Sequence, residues 1–126
     1  MELIDNVSNA AKPRGHYSQA VVHDGLIYVA GQLGINPETQ ATDVGSIEEQ
    51  AKHILTSIKA ILIAAHSDLN RVLKINVYLS NISDWEAVNK VYADFFGNHK
   101  PARIVIPVAG TFHLGFQVAM DVVACQ

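Results

Sequence analysis

Apolar and polar positions along this chain alternate between two periods. Ser18 to Val22 and Leu26 to Gly31 are short β-rich runs parted by His23-Asp24-Gly25, and Asp-Gly in that place predicts an antiparallel hairpin. A polar loop runs from Gly34 through Asn36 and Pro37 to Gly45. Ser46-Ile47-Glu48-Glu49 then has the spacing of a capping box. Beyond it Ile47, Ala51, Ile54, Leu55, Ile58, Leu62 and Ala65 recur every three or four residues, which predicts a helix with one buried stripe. Val72 to Leu79 alternates loosely and carries Ile75, Val77 and Tyr78, as a strand would. A second capping-box spacing, Ser83-Asp84-Trp85-Glu86, predicts another helix with Trp85, Val88, Tyr92 and Phe95 on one stripe, closed by Gly97 and Asn98. Two last strands, Ala102 to Val108 and Phe116 to Ala124, are joined by the Gly110 to Gly115 loop.

The order strand, strand, helix, strand, helix, strand, strand predicts an α+β fold, a sheet with both helices on one face. Its other face would expose apolar residues and calls for a partner. Self-association in a closed ring would bury that face and create clefts between subunits, where small-molecule sites commonly lie.

Composition narrows the reading. With 126 residues and 49% hydrophobic content, the chain suits a single domain over 1–126 with one core. A formal net charge of -3 provides no basic field, which disfavours nucleic acid and anionic lipid as partners. One cysteine, Cys125, allows no internal disulfide, and Met1-Glu2-Leu3-Ile4-Asp5 lacks the layout of a signal peptide, so a cytoplasmic location is expected. No apolar run approaches the roughly 20 residues that span a bilayer. His16, His23, His53, His66, His99 and His113 show no pair three or four residues apart, so no metal site is expected. Cys125 has no recognisable base beside it and is expected to be inert.

The candidate chemistry centres on Arg103. It lies in Pro101-Ala102-Arg103-Ile104-Val105-Ile106, a β-branched run that reads as a strand bound for a sheet core, where a guanidinium needs an anion. That anion could be structural, Asp121 or Glu86, or it could be a ligand. Tyr17 and Asn89, taken singly, read as a packed aromatic and a helix-surface amide.

Taken together the residues resemble a family. Gly15-His16-Tyr17-Ser18-Gln19-Ala20-Val21, Tyr28-Val29-Ala30-Gly31-Gln32, Val88-Asn89-Lys90-Val91-Tyr92 with Phe95-Phe96, and Pro101-Ala102-Arg103 are similar, in this order, to segments of the reactive-intermediate deaminases, the Rid or YjgF family. The resemblance implies a chorismate-mutase-like fold and a homotrimer with a site in each intersubunit cleft. It also implies hydrolysis of 2-imino and 2-enamino acids to 2-keto acids and ammonia without a cofactor. Arg103 would hold the substrate carboxylate through two parallel hydrogen bonds. Tyr17 would position the ligand, Gly31 would permit close backbone approach, Asn89 would stand at the family asparagine, and the main chain of Val105 would lie beside the imine.

Two departures from the family pattern follow. Ala119 falls where the family has a glutamate that positions the attacking water, and Ala30 falls where it commonly has serine or threonine. Asp121 shares a strand face with Ala119, roughly 6 to 7 Å further along. His113, whose type titrates near neutrality, is the candidate substitute base if the loop folds over the cleft. His16 could reach the cleft or only shape the turn before Tyr17. Imine deamination is the leading expectation. A carboxylate-binding homologue without turnover and an RNA-cleaving or translation-inhibiting protein are the alternatives.

Overall fold

The hairpin forms around Asp24 and Gly25, both at positive φ (51° and 77°), which is what a two-residue turn matched to strand twist requires. The computed structural model describes residues 1–126, with strands β1 (Glu2–Ile4), β2 (Ala20–His23), β3 (Leu26–Gln32), β4 (Val72–Leu79), β5 (Ala102–Pro107) and β6 (Val118–Cys125). Helix α1 spans Ile47–Ala64 and α2 spans Trp85–Phe96. The strands form one sheet in the order β1-β2-β3-β6-β4-β5, antiparallel throughout except for the parallel pair β4 and β5. A parallel pair needs a long crossover, and residues 80–101 supply it with α2 at its centre.

Both helices cover one sheet face. Ile54, Leu55, Ile58, Ile61 and Leu62 of α1 are fully buried against Ile27, Val29, Val118, Met120 and Val122 of β3 and β6, within one continuous core. Each such side chain contributes about 1.5–3 kcal/mol. Ile75, Val77 and Leu79 continue that face across β4, and Val88, Tyr92 and Phe96 of α2 close over it. The opposite face has no cover. Tyr28 and Ile104 there are each 48% exposed, with Asn76, Tyr78 and Asp121 between them.

Several expected boundaries and contacts shift. Ser46 caps α1 as expected, its Oγ accepting from the Glu49 N–H at 3.1 Å. The second capping box does not form. Asn81 instead caps a 3₁₀ turn at Ile82–Asp84, and α2 starts behind Asp84 with no side-chain cap. Gly97 ends α2 at φ 60°, as expected. On α2, Phe96 takes the core position expected of Phe95, while Trp85 is left 39% exposed. Strand β1 was not anticipated, since Ile4 is its one buried residue. β5 proves to be an edge strand, and because Arg103 and Val105 take its helix side, Ile104 and Ile106 face the uncovered side and not the core. No helix is long and apolar enough to cross a membrane.

Candidate functional site

Arg103 leaves β5 on the helix side, level with Ile75 of β4, and reaches under α2. Its Nη1 donates to Asn89 Oδ1 at 2.7 Å, and its guanidinium lies 4.7 Å from the Tyr92 ring centre and 6.0 Å from that of Trp85. Trp85, Asn89 and Tyr92 sit at i, i+4 and i+7, so one stripe of α2 builds the whole seat. Val77, Leu79, Val88 and Val105 form its apolar wall. Neither Asp121 nor Glu86 pairs with this arginine; the one ion pair in the chain joins His23 to Asp24. Arg103 is thus half-buried, held by a neutral oxygen and two aromatic faces, with its charge uncompensated. A guanidinium has five N–H donors, and one is used here.

Tyr92 is the other unsettled group in this corner. Its hydroxyl is buried without a hydrogen-bond partner. Burial pushes its pKa above the usual 10.0, and the adjacent Arg103 pulls the other way.

A second cavity holds Tyr17, Gly31 and His113, rimmed by Lys12 and Arg14, with Gln19, Gln32, Leu33 and Ile35 behind them. The chain before Tyr17 is fixed from below. Gln19 Nε2 donates to the Ala11 carbonyl at 2.8 Å, Gln19 Oε1 accepts from Val7 N–H at 3.0 Å, and Ser57 Oγ accepts from Ala11 N–H at 3.0 Å. Tyr17 stands 51% exposed, its hydroxyl accepting from Arg14 N–H at 3.3 Å. Gly31 lacks a positive φ, and a Cβ built there meets no atom within 4 Å. Neither backbone conformation nor packing within this chain demands glycine at that position. His113 lines the cavity from a loop that also places Leu114 at φ 64°. His16 is exposed and lines neither cavity.

The expected site residues therefore fall into two groups. Arg103, Asn89 and Val105 lie together at the β5 edge, and Tyr17, Gly31 and His113 lie together at the β3 end. Strands β6 and β4 separate them, three strand spacings or about 14 Å. Ala119 is buried on the uncovered face, and Ala30 and Gly31 form a bulge in β3. No group of three or more His, Cys, Asp or Glu residues lies close enough to hold a metal ion.

A family model described as Endoribonuclease L-PSP, that of the YjgF/Rid proteins, matches residues 7–126. The chain belongs to the YjgF/Rid family. Among its Rid relatives, a 2-iminobutanoate/2-iminopropanoate deaminase of Capra hircus is 41% identical over 122 residues, covering 95% of this chain and 88% of its own. A RutC family protein of Pyrococcus horikoshii is 45% identical over 109 residues, 86% of each chain. The structure superposes on RidA from an Antarctic Psychrobacter with a TM-score of 0.92 at 34% identity over 100% of both chains. It superposes on E. coli TdcF with bound serine with a TM-score of 0.91 at 25% identity over 99% of both. Two helices on a six-stranded mixed sheet is thus the Rid fold in this chain.

Four neighbours of the candidate residues escaped sequence reasoning. Trp85 and Tyr92 read in the sequence as helix-packing residues, although their spacing about Asn89 marks one α2 stripe. Lys12 and Arg14 gave no signal, because only the folded N-terminal loop brings them to Tyr17.

Proposed function

We propose that this Rid protein hydrolyses 2-imino acids, the class of 2-iminobutanoate and 2-iminopropanoate, to 2-keto acids and ammonia. It would do so as a homotrimer in which Arg103 of one subunit faces Tyr17 and Gly31 of the next. The observation that carries the reading is the uncompensated, half-buried charge of Arg103, oriented by Asn89 and Tyr92 with four donors free. The two-group layout supports the trimer, since residues about 14 Å apart in one chain require a second copy to meet around one small ligand.

In this reading Arg103 clamps the carboxylate with two parallel hydrogen bonds, fixing the adjacent imine carbon. Water adds its oxygen to that carbon, the C=N π pair moves to nitrogen, and nitrogen gains a proton while the water loses one. The tetrahedral adduct collapses as the hydroxyl proton passes to nitrogen, the C–N pair leaves with ammonia and the oxygen pair forms the keto C=O bond. Tyr17, its hydroxyl turned to Arg14 N–H, shields and positions the ligand. The bare Cα of Gly31 leaves room for it. His113 lines the same cavity and is available to shuttle the proton. The unpaired Cys125 is in keeping with a reducing compartment such as the cytoplasm.

A semicarbazide trap tests this. An amino-acid oxidase generates 2-iminobutyrate in situ, and added protein is expected to suppress the semicarbazone, while Arg103→Ala does not. Binding of 2-oxobutyrate without any suppression would favour a carboxylate-binding protein without turnover. Ala119, which offers no carboxylate for the water, is the observation that keeps this second reading in play. RNA affinity falling steeply with salt would be needed to revive a nucleic-acid role against a net charge of -3.

A further inference from the structure

On the sheet face turned away from the helices, Asp121 is the one acidic residue of strands β2 to β6. It makes no ion pair. Asn76, its register partner on β4, donates Nδ2–H to Oδ1 at 2.7 Å. The Tyr78 hydroxyl donates to Oδ2 at 3.0 Å. Tyr78 is itself the register partner of Ala119, so its phenol leans along the face from the Ala119 row to the carboxylate. Each oxygen of Asp121 is held by one donor and retains a lone pair for another.

The other flank of Asp121 is the β3 bulge. Val29 pairs with Val122 and Gln32 with Met120, so Ala30 and Gly31 together stand opposite Asp121 alone. Bulges of this kind re-aim side chains beside active sites. Neighbouring strands lie about 4.7–4.9 Å apart, which sets Asp121 beside the bulge and the open space over Gly31. That space adjoins the cavity of Tyr17 and His113.

We infer that Asp121 is the carboxylate that holds and deprotonates the attacking water in this protein, with Tyr78 and Asn76 as positioning residues that fix its two oxygens. This inference rests on the imine-hydrolase reading. Asp121 accepts the water proton as the oxygen bonds to the imine carbon and passes it to the nitrogen that takes the C=N π pair; it then carries the hydroxyl proton of the adduct to that nitrogen as the C–N bond breaks and ammonia leaves. Burial first, and then Asp121, raises the pKa of the Tyr78 phenol, which keeps it a donor throughout. Ala119 ends at Cβ and leaves the Tyr78 hydroxyl a clear path to Asp121.

The test compares Asp121→Asn, Tyr78→Phe and the double variant Asp121→Asn with Ala119→Glu, in the full-length protein. Turnover of 2-iminobutyrate is read by semicarbazide trapping, and binding of 2-oxobutyrate by calorimetry. The expected result is a kcat loss of about 100-fold in Asp121→Asn, the scale of a general base. Its 2-oxobutyrate affinity is expected to stay within about twofold, and Ala119→Glu to restore at least a tenth of the lost rate. Tyr78→Phe is expected to lower kcat about tenfold with binding unchanged. Wild-type turnover in a folded Asp121→Asn overturns the role of Asp121 alone. If that variant fails to fold, Tyr78→Phe decides, and unchanged kcat there overturns the proposal. A wild type that leaves trapping untouched overturns the imine-hydrolase reading, and this inference with it.

Discussion

Arg103→Ala separates a ligand clamp from a structural arginine, because the two roles predict opposite effects on stability and affinity. The substitution removes a charge-assisted hydrogen bond to Asn89 at 2.7 Å and the contact with Tyr92 at 4.7 Å. Those are worth about 1.5–3 kcal/mol and about 0.5–1 kcal/mol before the cost of holding a half-buried cation without a counter-ion is subtracted. The remainder is about 1 kcal/mol, or about 4 °C in Tm for a chain of this size. A bound carboxylate would add two charge-assisted hydrogen bonds to the free edge. At the low end of their range these are worth about 3 kcal/mol, about 100-fold in Kd. Calorimetry with 2-oxobutyrate and thermal unfolding of the same samples read both quantities. A Tm drop beyond about 10 °C with unchanged affinity would refute the clamp.

Two glycines are expected to behave oppositely. Gly34→Ala would place Cβ 2.9 Å from Gln50 Cα and Cβ in α1, costing about 1–3 kcal/mol in urea unfolding, because backbone must move. Gly31→Ala meets open space and is expected to keep stability within about 0.5 kcal/mol while weakening 2-oxobutyrate binding about tenfold. Tyr92→Phe deletes an unpartnered hydroxyl and is expected to gain about 1 kcal/mol at pH 7 by urea titration. Because folding raises the Tyr92 pKa, its contribution is full below about pH 10 and is lost as pH climbs through the folded value. The phenylalanine variant is therefore expected to show a shallower alkaline decline. Ser46→Ala removes the 3.1 Å cap on α1 and is expected to cost about 1 kcal/mol in the same assay.

Local chemistry was legible where one short segment decides the outcome. Asp24-Gly25 dictates its own turn, and the α1 stripe with the Ser46 cap dictates its own helix. The Ser83 capping box failed because Asn81, two residues earlier, captures the Ser83 N–H and starts a tighter turn first. Arg103 was recognised as an arginine in need of an anion, but its surroundings were misjudged. A β-branched run does not reveal whether its strand lies in mid-sheet or at the edge, which depends on strand order across the whole chain. The partners of Asp121 were hidden for the same reason. Asn76 and Tyr78 meet it across 45 and 43 residues, in a register that no local pattern encodes.

Strand order also governs how the molecule is made. β6 lies between β3 and β4, pairing Leu26 with Cys125 and Ile75 with Val122, although it is the last strand to be synthesised. Until residues 118–125 leave the ribosome, β1-β2-β3 and β4-α2-β5 are separate pieces with unpaired inner edges, and α1 has half its floor missing. Such edges are templates for misassociation. The sheet of this protein consequently closes only when its sixth strand arrives, and the inner edges of β3 and β4 stand open until then.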